Sequence, residues 1–245
     1  MSQMLAEKYS GLEDIEIDVE DIVTEDDTPV DNLFSEKQQR LLTEPLYTSW
    51  PGLVDDEGNS RPFLVAANVG VFPSLHRPPI VPDIFLSLDV TVPENWYEKR
   101  HRTYFVWEFG KPPDVVIAIV SNRKGNEASS KLQEYALMGI SYYVIFDPMR
   151  QLSDEILRVY ELRPRSFQRS PDNFLSAVGL GLTLWEGEYE GKFAVWLRWC
   201  DQQGTLTLTG KERAEQEAQR AEQETQRAER LAARLRELGV DPEQI

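Results

Sequence analysis

Asp83 follows Pro82 and opens the apolar run PDIFLSLDV, which puts its carboxylate at the end of a predicted strand. A second apolar run, PPDVVIAIVS from Pro112, comes after a long loop, and Lys131 and Tyr135 follow it one helical turn apart. An acid at a strand end, a second strand beside it and a lysine on the adjoining helix can together hold a divalent cation and a phosphate. The carboxylate supplies hard oxygen ligands and the lysine neutralises developing negative charge. Strand-initial aspartates and helical lysines are also common in ordinary soluble domains, so the pattern alone admits a purely structural role.

A second group of residues could meet a polyanion. Lys99, Arg100, His101 and Arg102 form the densest basic cluster, in a loop that also carries Trp96, Tyr97, Tyr104 and Trp107. Basic and aromatic residues interleaved on a loop can contact phosphates and stack unpaired bases, or they can form a solvated loop anchored by its rings. Arg123 and Lys124 add a basic pair directly after the second apolar run. Asp114 and Asp147 adjoin prolines at strand ends and read mainly as turn residues, with Asp114 also within conceivable reach of a cation. His76 and His101 have no ligand partners at metal spacing, and two histidines with the single Cys200 cannot furnish a Cys/His zinc site. Cys200, beside Trp199, reads as a small buried hydrophobe. One cysteine, no basic-then-apolar leader and no window of about 18 uncharged apolar residues lead to the expectation of a cytoplasmic protein without a membrane span.

The elements that must position these residues follow from periodicity. Asp31–Leu42 reads as a helix capped by Asp31 or Ser35. Strand-like runs begin at Phe63, Pro82, Pro112, Tyr142 and Ile156, and KLQEYALM from Lys131 places Leu132, Tyr135 and Ala136 on one helical side before Gly139. Six consecutive apolar residues at Val115–Val120 suggest a central strand covered on both faces. The expected fold is α/β (α+β), a mixed β-sheet core flanked by helices. Its boundaries are an acidic arm at 1–30, the domain at 31–205, and a Glu/Arg/Ala-rich helix at 206–245 with a heptad-length repeat, RAEQEAQ, RAEQETQ, RAERLAA. The seam of that repeat is nearly all alanine. It suits either a solvated single helix or a coiled coil that joins a second copy or another protein.

The net charge of −16 argues at first against a nucleic-acid partner. By segment it is −9 over residues 1–30, −4 over 31–60, +1 over 61–168 and −4 over 169–245, so the part that carries the candidate chemistry is close to neutral.

From Pro112 to Pro148 the sequence PPDVVIAIVSN, then NEASSKLQEYALMGISYYVIFDP, resembles the Uma-two family of restriction endonucleases, a branch of the PD-(D/E)XK nuclease superfamily. The resemblance extends over about residues 31–200 and includes an amphipathic tail of the kind many members carry. It implies a restriction-endonuclease-like core and a Mg²⁺- or Mn²⁺-dependent hydrolysis of nucleic-acid phosphodiesters, with DNA the expected substrate. It makes Asp83 the metal-binding aspartate, puts the second acid of the motif at position 118 and assigns a metal-facing carbonyl to Ile119. The lysine role falls to Lys131 on the helix, with Val120 at the superfamily's usual lysine position. Glu127, four residues before Lys131, occupies the family's usual acidic position, Tyr135 completes Lys-x-x-x-Tyr, and Glu36 stands where related nucleases often add an acid. Arg123 and Lys124 would lie along the substrate backbone, with Lys99, Arg100 and Arg102 as further nucleic-acid contacts. The departure is at position 118, which is alanine where the family has glutamate. One carboxylate in place of two should hold Mg²⁺ poorly, so the expectation is a nuclease domain that is impaired or inactive as written. The alternative is a non-catalytic nucleic-acid-binding or regulatory module acting through its C-terminal helix.

Overall fold

The run Val115–Val120 becomes the middle of the molecule because alternate side chains of a strand point to opposite faces, and every one of these needs cover. The computed structural model describes residues 32–121, 130–164 and 166–237. The acidic arm therefore lies outside the described residues, as do the 122–129 segment and the last eight positions.

Helix α1 (Leu33–Thr48) is capped by Asn32, whose side chain accepts from the amides of Phe34 and Ser35 at 3.0 and 2.9 Å. The cap is thus neither Asp31 nor Ser35, and the helix runs six residues past Leu42. Pro45 in its last turn costs one backbone hydrogen bond there, while Leu42 and Leu46 are fully buried beneath it. Strands β1 (Phe63–Ala67), β2 (Val71–Phe72), β3 (Ile84–Leu88), β4 (Tyr104–Phe105) and β5 (Val115–Ile119) follow, with a four-residue helix α2 (Val106–Phe109) before β5. Helix α3 (Ser130–Met138) then leads to β6 (Tyr142–Phe146) through Gly139, whose φ of +87° ends the helix in a left-handed cap. Strands β7 (Leu157–Arg163), β8 (Ser166–Arg169), β9 (Phe174–Leu175), β10 (Leu180–Tyr189) and β11 (Lys192–Cys200) and helix α4 (Gly210–Glu237) complete the chain.

The main sheet has the order β1-β3-β5-β6-β7-β8. Only β5 and β6 run parallel, joined by the α3 crossover, and all other neighbours are antiparallel. One face packs Ile84, Leu86, Val115, Ile117, Val144 and Phe146 against Leu42 and Leu46 of α1 and against Leu182, Leu197 and Trp199 of the β9–β11 sheet. The other face carries Phe85, Val116, Ala118, Val120, Tyr143 and Ile145, covered by Tyr135 of α3 and by Val71 and Tyr104. Residues of β5 thus alternate strictly between two cores. Gln38 of α1, fully buried, binds both the N–H and the C=O of Leu197 and so satisfies the backbone of β11 from the helix side.

Helix α4 begins with a reciprocal capping box: Thr209 Oγ1 accepts from the Glu212 amide while the Glu212 carboxylate accepts from the Thr209 amide at 2.8 Å. Glu212 is also held by the buried Arg198 through two contacts of 2.8 and 2.6 Å. Beyond this base nearly every residue of the helix is exposed.

Candidate functional site

Strand register brings the chemistry-bearing positions into one line. The β1–β3 ladder pairs Ala67 with Ile84, and the next step sets Asn68 opposite Asp83, where the Asn68 amide donates to the Asp83 carbonyl at 3.2 Å. The β3–β5 ladder pairs Ile84 with Ile117, so the next step sets Asp83 opposite Ala118. Ala118 pairs with Ile145 and Ile145 with Arg158. Asp83, Ala118, Ile145 and Arg158 therefore form a row across four strands on the face that packs against α3, while Asn68, with a φ of +54°, meets Gln39 of α1. Its centre lies at the carboxyl ends of the parallel pair β5 and β6, next to the point where the sheet changes to antiparallel. Crevices for ligands form there because the chain leaves the sheet in different directions.

Asp83 is fixed in this row by its Oδ2, which accepts from the Ile119 amide at 2.7 Å. The contact to Ile119 is made through the N–H, whereas the resemblance gives that residue a role through its carbonyl. Ala118 is buried, and residues directly opposite on antiparallel strands have Cβ atoms about 5 Å apart. A carboxylate at 118 would therefore lie within reach of that of Asp83, whereas alanine leaves the Asp83 carboxylate without a second acid beside it in the row. Asp83 is the one carboxylate of this row among the described residues, a sparse oxygen set for Mg²⁺ or Mn²⁺. Among the described residues no group of three or more His, Cys, Asp or Glu side chains converges on one point.

On α3, Tyr135 is buried with its ring 5.0 Å from that of Tyr143, and Lys131 stands one turn earlier on the same side, half-buried. The helix therefore presents both residues to the face that carries Asp83 and Ala118. Glu127, Arg123 and Lys124 lie outside the described residues.

The basic loop covers the same face. Leu64 and Ala66, opposite Ser87 and Phe85 in the β1–β3 ladder, floor a cavity of about 180 Å³ walled by Trp96, Arg102 and Phe109. Lys99–His101 form a single 3-10 turn. Lys99 and Arg100 are half-buried there, His101 Nδ1 lies 2.7 Å from the Asn95 carbonyl, and Arg102 Nε donates to the Tyr97 carbonyl at 2.9 Å. Of the loop's aromatics, Tyr104 is buried in the core and Trp107 packs on Phe72 and Phe105, whereas Trp96 and Tyr97 stay 58% and 75% exposed.

Other candidates separate from this face. Asp114 sits at the far end of β5, four residues from Ala118 and so about 13 Å along the strand, where it binds Lys111 and the Leu88 amide. It does not approach position 118. Asp147 is fully buried and accepts from the amides of Gln151 and Leu152, each at 2.7 Å, which closes the β6–β7 turn. Glu36 pairs with Arg40, itself bound to Glu190, on the outside of α1. Burial pushes the Cys200 thiol up, in keeping with a buried hydrophobe. Two features were not read from the sequence. Gln39 and Asn68 exchange side-chain hydrogen bonds of 3.3 and 3.2 Å beside Asp83, and Arg158 ends the row. The only sequence signal for Arg158 is a cation lodged between Leu157 and Val159 inside an apolar strand.

A mixed sheet with an acid at the head of β3, an apolar β5 and a Lys-x-x-x-Tyr helix leading into parallel β6 defines a restriction-endonuclease-like domain. Residues 13–184 match the family model Uma2, described as "Putative restriction endonuclease", and the chain belongs to that family. No curated protein and no solved structure matches it. No helix among the described residues is long and apolar enough to cross a membrane.

Proposed function

We propose that this chain is a nuclease-type domain that lays a nucleic-acid strand, DNA foremost, across the α3 side of its sheet, and that its hydrolytic centre is silenced at Ala118. The observation that carries this reading is the juxtaposition of Asp83 and Ala118 in adjacent strands, with Lys131 and the basic loop on the same face. In this reading Asp83 would be one of two acids for Mg²⁺ or Mn²⁺, Lys131 would stabilise charge on the phosphate, Glu127 and Tyr135 would support the helix side of the centre, and Lys99, Arg100, Arg102, Arg123 and Lys124 would steer the backbone. A bound cation would polarise the phosphate and acidify a water. With Ala118 in place the residues that remain can bind and orient a strand but lack the second anionic anchor.

The test is a Mg²⁺ titration and a cleavage assay on labelled duplex DNA and single-stranded RNA, with the natural chain beside Ala118→Glu. The variant is expected to bind Mg²⁺ and to cleave at least about 10²-fold faster than the natural chain. An Ala118→Glu chain that binds nucleic acid yet neither binds the cation nor cleaves would overturn the silenced-nuclease reading. It would favour a non-catalytic binding or regulatory module, a second reading supported by the 28-residue α4, anchored only at its base and otherwise exposed.

A further inference from the structure

Arg158 is 7% exposed, and its Nε and Nη2 are buried without a hydrogen-bond partner. An arginine does not shed its charge, and a buried guanidinium without an acceptor is among the more unfavourable arrangements a core can hold. The nearest carboxylate in register, that of Asp147, is one diagonal step away across the β6–β7 ladder. Both of its oxygens are taken by backbone amides, and no ion pair joins it to Arg158. Arg158 thus finds no acceptor among the described residues for two of its three guanidinium nitrogens. It ends the same row as Asp83 and Ala118, two strand spacings or roughly 10 Å from position 118. An anion seated on this face would supply what the fold withholds, and the planar fork of a guanidinium matches a phosphate.

We propose that Arg158 is the phosphate anchor of this face, receiving a phosphodiester oxygen of the strand that passes over Asp83 and Ala118. The assignment deepens the nuclease reading and rests on it for the identity of the polyanion. The assignment of an anion to Arg158 stands on burial and register alone.

Thermal unfolding of the full chain in 20 mM sodium phosphate, against sodium chloride at matched ionic strength and pH, tests the anion. The natural chain should melt about 3 °C higher in phosphate, and Arg158→Met should lose that shift while melting no lower than the natural chain in chloride. A natural chain indifferent to phosphate, an Arg158→Met chain that keeps the shift, or one that melts lower or fails to fold in chloride would each overturn the proposal, the last by making Arg158 a structural residue. Arg158→Lys, which keeps the charge but not the fork, should fold and show a smaller shift, and a full one would count against the assignment. Fluorescence anisotropy with a labelled 20-nucleotide duplex identifies the source: binding should weaken about tenfold in Arg158→Met. Loss of the phosphate shift with unchanged duplex binding would make the ligand free phosphate and overturn the strand anchor. Because none of these readouts requires cleavage, an inert Ala118→Glu chain would sink the nuclease reading and leave the anion site standing, and the reverse outcome is equally distinguishable.

Discussion

The two faces of the main sheet are built from the same strands yet bury different things. The face beneath α1 is closed by a large apolar cluster down to Trp199, whose Nε1 donates to the Leu42 carbonyl at 2.7 Å, and its buried polar side chain Gln38 is spent on the backbone of β11. The α3 face mixes its apolar cover with Asp83, Ser87, Asp147 and Arg158, and Ala118 is the smallest buried side chain of its hydrophobic cluster. The first arrangement is what a core needs for stability. The second keeps polar groups at a cost that packing alone does not explain, and such departures cluster where a protein does chemistry. Under the proposed reading, alanine for glutamate at 118 removes a charge from the second face and leaves the first untouched, so the fold does not depend on a cation there.

The contrast is broken most forcefully on the closed face. Trp199→Ala removes a ring that is 1% exposed together with its hydrogen bond, and should cost about 3–5 kcal/mol in urea unfolding. A loss below about 1 kcal/mol would mean that the α1 side is not the stabilising face.

The next effect is smaller and belongs to the α3 face. Tyr104 lies 2.9 Å from Ser87 Oγ and donates to the Lys111 carbonyl at 3.0 Å. Burial pushes its hydroxyl up to about 12, against the Ser87 hydrogen bond, which favours ionisation. The folded chain thus holds this proton more tightly than the unfolded chain does. The stability this contributes, roughly 2 kcal/mol, is whole below about pH 10 and is lost as the pH climbs toward 12. Tyr104→Phe should flatten that alkaline decline in urea midpoints measured from pH 9 to 12, and an unchanged slope would place the titration elsewhere.

How much of this was legible depended on whether a residue's pattern matched its surroundings. VVIAIV announced a strand covered on both sides, and KLQEYALM with Gly139 announced α3 and its stop, because local propensity and tertiary burial agree there. The β10–β11 hairpin carries little signal in the sequence beyond Trp185, Trp196 and Trp199. Its turn, Glu190-Gly191, has φ of +46° and +74° and so needs two left-handed residues, which Glu-Gly signals far more weakly than Asn-Gly. The apolar pattern of α1 reads only as far as Leu42, yet burial of Leu46 beneath the helix carries it through Pro45 to Thr48. Asp83 carries a chemical signal of its own, whereas an alanine in an apolar strand carries none, and only the family resemblance marks position 118. Arg158 carries no local signal, because charge in a strand is ordinarily solvated and its burial is set by strand register that no local window contains.

The smallest expected effect tests how far the two-faced domain is coupled to its tail. Thr209 caps α4 and is 7% exposed, and Arg198, stacked 4.8 Å from the Trp185 ring, grips Glu212 in the first turn. Burial raises the Glu212 carboxyl, but Arg198 and the Thr209 amide outweigh it and hold the group below its ordinary value. Removing the cap with Thr209→Ala should cost about 1 kcal/mol. Beyond its base the helix buries almost nothing, so that cost should appear as fraying of α4, a fall in ellipticity at 222 nm and faster amide exchange over 210–220, with the cooperative unfolding of the sheet displaced by less than 1 °C. Were the sheet to melt several degrees lower instead, the Arg198–Glu212 contact would be part of the closed face's stability, and α4 an integral wall of the domain.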